Sequence, residues 1–195
     1  KVTMITERLR RSVTMGAARP RSAAHAEVGL SRLDSNIERL MAQRDCLDHL
    51  AAAIAAIPGP VVELGLGNGR TYDHLRKRLP GREIFVFERS PQAHPACIPD
   101  AAHLVLGDFE ETLPDGLGRL PAPAALLHAD FGTGDRDRNA RLAEWLGDVV
   151  PPLLAEGGYV ASDQALGDPR LEPLALPAGV APGRYHLYRR TPALA

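Results

Sequence analysis

The stretch Val61–Leu75, VVELGLGNGRTYDHL, decides the fold. A short apolar run closes on Glu63 and Leu64. Gly65, Gly67 and Gly69 follow at alternate positions, and a helix-like segment begins at Thr71. A turn of this kind leaves a strand, brings bare backbone amides close to a ligand and feeds them into a helix N-terminus. It points first to a nucleotide-like cofactor.

Downstream, short apolar runs alternate with helical pieces. Strands are predicted over Val61–Leu64, Glu83–Phe87, Leu104–Leu106, Ala124–His128 and Gly158–Ser162, and helices over Thr71–Leu79 and Asp135–Val150. This alternation predicts a parallel sheet covered on both faces. Leu171–Leu176 and Tyr185–Arg189, joined through PAGVAPG, predict an antiparallel C-terminal hairpin. Pro91, Pro95 and Pro99 argue against a full second crossover helix, and too few residues separate Asp163 from Leu171 for another.

Upstream, Leu33, Ile37, Leu40, Met41, Leu47, Leu50, Ile54 and Ile57 recur at spacings of three, four or seven with charged residues between them. That is an amphipathic helix, begun by a capping box at Ser31-x-x-Asp34 or Ser35-x-x-Glu38 and ended by Pro58-Gly59-Pro60. It is expected to cover one end of the sheet, and its stripe is also a candidate surface for a second subunit. Residues 1–30 carry Lys1, Arg8, Arg10, Arg11, Arg19 and Arg21 against the lone acid Glu7 before Glu27. They read as a flexible basic arm, a composition shared by transit peptides and RNA-binding arms. The expected organisation is an arm over 1–30, a helix over 31–58 and a ligand-binding domain over 59–195.

A chain of 195 residues with a net charge of −1 gives no overall electrostatic reason to expect nucleic acid or an anionic membrane as partner. No apolar run approaches the ~20 residues of a membrane span. Cys46 and Cys97 stand apart without metal-ligand spacing, so free thiols and a cytoplasmic location are expected.

Acids mark the carboxyl ends of the five predicted parallel strands: Glu63, Glu88, Asp108, Asp130 and Asp163. Ligands of open α/β sheets bind in the crevice at those ends. Four segments then resemble, in the right order, the class I S-adenosylmethionine-dependent methyltransferases. Val61–Gly69 looks like their motif I, E/D-x-G-x-G-x-G, and Phe85-Val86-Phe87-Glu88 like the acid after their second strand. Leu106-Gly107-Asp108-Phe109 looks like their adenine-contacting motif, and Leu153–Val160 like their LL-x-x-GG approach to the fifth strand. The resemblance covers roughly residues 60–190. It implies a Rossmann-like, doubly wound, mostly parallel sheet of about seven strands. Nicotinamide-dependent oxidoreductases are the rival, but their fingerprint G-x-G-x-x-G wants glycine where Arg70 stands.

From the resemblance, S-adenosylmethionine is the expected cofactor, held by Glu63, Gly65, Leu66, Gly67, Asn68, Gly69, Thr71, Glu88, Arg89, Gly107, Asp108, Phe109 and His128. Glu88 would take the two ribose hydroxyls, Asp108 the adenine amine, and Phe109 would cover the ring. His128 and Asp130 are the catalytic candidates, His128 as a general base, with a structural histidine as the alternative. The N-P-P-Y signature of amino methyltransferases acting on bases and glutamine is absent, HADF standing in its place. Asp130, Asp163 and Gln164 resemble the Mg²⁺ ligands of catechol-type O-methyltransferases, a less favoured reading because Gln164 is longer than the usual asparagine. The expected activity is methyl transfer to an unidentified small-molecule acceptor, in a homo-oligomer. The alternative is a protein that binds the cofactor without transferring the methyl group.

Overall fold

The computed structural model describes residues 30–192, so the basic arm lies outside the described residues. Helix α1 (Arg32–Ala53) starts at the first of the two capping boxes: Ser31 Oγ accepts from the Asp34 amide at 3.0 Å. Strands β1 (Val61–Leu64), β2 (Ile84–Glu88) and β3 (Leu104–Leu106) follow, with helix α2 (Arg70–Arg78) between the first two. A short helix α3 (Phe109–Thr112) leads towards β4 (Ala124–Ala129), and α4 (Arg136–Val149) towards β5 (Leu154–Ser162). The chain closes with β6 (Leu171–Pro173) and β7 (His186–Arg190).

The seven strands form one sheet in the order β3-β2-β1-β4-β5-β7-β6. The first five are parallel, and β7 runs antiparallel between β5 and β6. The order reverses beside β1, so the carboxyl ends of β1 and β4 flank the crevice where such sheets bind ligands. Residues of alternate parity on β1 supply two cores. Val62 and Leu64 join Phe87, Leu127 and Leu146 on one face, while Val61 joins Leu47, Leu50, Leu75 and Leu126 on the other. Both faces are covered, as the run of fully buried β1 residues requires.

Three expectations need correction. Strand β5 begins at Leu154 rather than Gly158, with a register shift opposite Ala124 and Leu126 that absorbs the glycines of AEGGY. Strand β6 stops at Pro173 rather than Leu176, although the Leu174 amide still donates to the Leu187 carbonyl of β7 at 2.9 Å. The stripe of α1 divides: Leu47, Leu50 and Ile54 are buried, whereas Leu33, Ile37 and Met41 are 66%, 46% and 48% exposed. Only the C-terminal half of the helix lies on the core. Arg82 ends that half, donating to the carbonyls of Ile54, Ile57 and Gly59 at 2.7–3.1 Å. It thereby satisfies acceptors that a helix terminus leaves open.

The loop before β3 carries a pH-sensitive contact. His103 Nδ1 lies 2.7 Å from Asp100 Oδ1, and its ring stacks obliquely on Phe85. The Asp100 hydrogen bond, with Glu83 nearby, raises the imidazole above its ordinary range. A raised folded value means that this stability is complete below the unfolded pKa of ~6.5 and lost as pH climbs through the folded value. Denaturant titrations of native protein and His103→Gln between pH ~6 and ~9 are expected to converge as pH rises.

Candidate functional site

The glycine turn after β1 is built as its sequence demands. Gly65, Gly67 and Gly69 have φ of 88°, 49° and 74°. Any other residue strains there. At Gly69 there is a second reason: an added Cβ would fall 2.6 Å from Cys97 Cβ. The turn is pinned from β2, since Glu88 Oε2 accepts from the amide of Leu66 at 2.8 Å and from that of Gly67 at 3.4 Å. Glu88 Oε1 accepts from the Ser90 amide at 2.8 Å. The second-strand acid and the turn therefore form one unit.

A cleft of about 540 Å³ opens along the strand ends, lined by Gly65, Glu88, Asp108 and Phe109 together with Phe131 and Trp145. Arg89 and Gly107 also line it, and Arg89 Nη1 lies 3.3 Å from Asp108 Oδ1. A smaller hollow of about 100 Å³ lies over the turn, bounded by Leu66, Gly67, Asn68 and Thr71 and by Arg39 and Asp130. A third, of about 450 Å³, holds Asp130, Asp163, Gln164, Thr133 and again Arg39.

Beneath these hollows lies a buried polar group. Glu63 and His128 are register partners on adjacent strands, and neither is exposed. The Thr71 hydroxyl donates to Glu63 Oε1, which stands 3.8 Å from His128 Nδ1. His128 Nε2 and the Tyr185 hydroxyl are 2.5 Å apart. Burial, followed by the nearby charge of Asp130, pushes the Tyr185 hydroxyl well above its ordinary range, so it stays protonated. With a proton on Nδ1 facing Glu63, Nε2 accepts from that hydroxyl. Among the described residues Glu63 Oε2 and His128 Nδ1 have no hydrogen-bond partner, and a buried polar atom left alone is costly. Glu63, Gly69 and His128 are thus placed under or behind the hollows, while the other expected cofactor residues line them.

The residues resembling a metal site do share a hollow, but they do not fit an oxygen-ligated ion. Asp130 Oδ2 accepts from Gln43 Nε2 at 2.6 Å and Arg39 Nη1 at 3.1 Å. Asp163 accepts from the amides of Phe131 and Gly132 at 3.2 and 3.0 Å and from Gln164 Nε2 at 2.9 Å. Its carboxyl is raised by burial and by the charge of Asp130. Donors occupy these acids, and a guanidinium already supplies the positive charge. Among the described residues no group of three or more His, Cys, Asp or Glu stands together in a metal-binding arrangement.

Residues 30–190, which carry this sheet and its acid-pinned glycine turn, match a known family profile described as S-adenosyl-L-methionine methyltransferase. The chain belongs to that family. It is a methyltransferase rather than a nicotinamide-dependent oxidoreductase, and S-adenosylmethionine is its cofactor. A crystal structure of an S-adenosyl-L-methionine methyltransferase from Silicibacter pomeroyi is 49% identical, with a TM-score of 0.78, covering 83% of this chain and 99% of that one. A methyltransferase of Podospora anserina with SAH bound is 16% identical, with a TM-score of 0.47, over 84% of this chain and 80% of its own. No curated protein matches. The family match begins at Leu30 and so takes in helix α1 as well as the sheet. Arg39 and Gln43, one helical turn apart on α1, reach the site. Sequence reading missed both, although their i, i+4 spacing on a polar face was visible. It also missed Tyr185, Phe131 and Trp145. No helix among the described residues is long and apolar enough to cross a membrane.

Proposed function

We propose that this methyltransferase binds S-adenosylmethionine across the glycine turn and the 540 Å³ cleft, and transfers its methyl group to a small polar acceptor in the hollow beside Asp130. The observation that carries this reading is the unit formed by Glu88 and the turn, which sets a carboxylate and bare backbone side by side at the sheet's reversal point. Glu88 would receive the ribose hydroxyls, Asp108 and Arg89 would border the adenine, and Phe109 with Phe131 would cover it. Gly65, Leu66, Gly67, Asn68, Gly69, Thr71 and Gly107 would shape the backbone around the remainder.

The chemistry supplied by the bound cofactor is a methyl group already activated on a sulfonium. What the chain must add is in-line placement of a nucleophile and a destination for its proton. Asp130, held through one oxygen by Arg39 and Gln43, is our acceptor-side base. His128 acts behind it, keeping Glu63 and Tyr185 in place rather than meeting the acceptor, which its complete burial supports. Residues 31–58 and 59–195 would work as one catalytic unit, with the preceding arm accessory to it.

Calorimetry with S-adenosylhomocysteine tests the cofactor reading, and absence of heat with the native chain would sink it. Turnover without added metal, unaffected by a chelator, is expected for a site whose acids are already engaged. The free thiols of Cys46 and Cys97 support a cytoplasmic setting. The exposed stripe of Leu33, Ile37 and Met41 supports a homo-oligomer. Light scattering on the purified protein checks the latter, and a single-chain mass counts against it.

A further inference from the structure

Arg39 belongs to none of the motifs above, yet together with Asp130 it lines two of the three hollows. It stands on α1, outside the sheet, with its side chain 40% exposed, and is tethered to Asp130 Oδ2 at 3.1 Å. That contact uses Nη1 alone, and a guanidinium presents five N–H donors in a rigid fork. The hollow over the glycine turn is about 100 Å³, against about 540 Å³ for the main cleft. It is too small for an adenosine and suits a compact polar head group. Its other walls are the turn backbone, Asn68 and Thr71, with Arg70 as a second cation at the start of α2.

We propose that Arg39 recognises the α-carboxylate of the cofactor's methionine end, making helix α1 a wall of the cofactor site. The inference rests on the cofactor reading proposed above. Asp130 holds the guanidinium at the rim of the hollow, and the remaining donors offer a carboxylate a charge-assisted, two-pronged contact. Gln43, on the same oxygen of Asp130 at 2.6 Å, fixes that carboxylate from the next turn of the helix. Two α1 side chains thus brace one acid at the junction of cofactor and acceptor hollows. The amino-acid end of the cofactor is thereby read by α1 rather than by the sheet.

Two probes separate this role from general stabilisation. S-adenosylhomocysteine carries the amino-acid carboxylate, whereas 5′-methylthioadenosine keeps the adenosine and thioether without it. Arg39→Gln is expected to weaken S-adenosylhomocysteine by about 10- to 100-fold in calorimetry while leaving methylthioadenosine unchanged. Arg39→Lys should recover part of the loss, and Arg70→Gln should cause little. In hydrogen exchange on the full chain, S-adenosylhomocysteine should protect Asn36–Arg44 and methylthioadenosine should not, with the difference erased in Arg39→Gln. Equal losses for both probes, no loss for either, or a selective loss in Arg70→Gln instead would overturn the proposal. Normal binding of S-adenosylhomocysteine by the native chain and by Arg39→Gln alike would overturn it while leaving the cofactor reading intact. No binding by the native chain would remove both.

Discussion

Glu88→Ala is expected to reduce affinity for S-adenosylhomocysteine by at least about 100-fold, because two hydrogen bonds to an ionised group are lost together. The structure adds a second source of loss. Glu88 accepts from the amides of Leu66, Gly67 and Ser90, so its removal also frees the turn it pins. Glu88→Gln separates the two contributions. Its single carbonyl oxygen can hold one amide of the turn but cannot also serve two hydroxyls, so an intermediate loss of about tenfold is expected. Calorimetry gives the affinities, and thermal melts show whether the fold is intact. Glu88 is only half-buried at the end of β2, so the melting temperature should move little. Native-like affinity in Glu88→Ala would place the ribose elsewhere.

Leu47→Ala should have the largest effect on stability. Leu47 is fully buried between α1 and the sheet, in the core that also holds Leu50, Leu75 and Leu126. Truncation at such a site costs about 2–5 kcal/mol. For a chain of this size that corresponds to a fall of about 10 °C in melting temperature. The transition should remain single and cooperative, because this core also contains Val61 of β1 and Leu66 within the glycine turn. Leu117, 44% exposed and outside the α1 stripe, serves as the contrast: Leu117→Ala should shift the melt by less than about 2 °C. If α1 melted separately in Leu47→Ala while the sheet kept its native transition, the helix would be an appendage rather than part of the domain.

The sheet was legible because its signals are local. The central parallel strands β1, β2 and β4 are buried on both faces and therefore read as short apolar runs with an acid at or near their ends. The first capping box was equally local, with Ser31 and Asp34 meeting across a single turn. The errors arose where a tertiary partner decides. Periodicity alone could not tell that Leu33, Ile37 and Met41 reach past the sheet, since a stripe on a helix does not state how far its support extends. The β5 register shift depends on the opposing β4 backbone, which a glycine pair cannot announce.

The candidate site divides in the same way. Glu63, Gly65, Gly67, Gly69, Glu88 and Asp108 were legible because a glycine turn and acids at strand ends follow from backbone geometry and strand order. Arg39, Gln43 and Tyr185 were not, since they reach the same place from residues far apart in the chain. The sequence by itself determined a doubly wound sheet and a cofactor turn after its first strand, because steric and hydrophobic periods act over a few residues. Only the tertiary structure decided that His128 lies locked beneath the site, that Asp130 is braced from α1, and that an arginine stands beside the residues whose resemblance to a metal site was the less favoured reading. Those outcomes depend on which side chains long-range packing brings within hydrogen-bond distance.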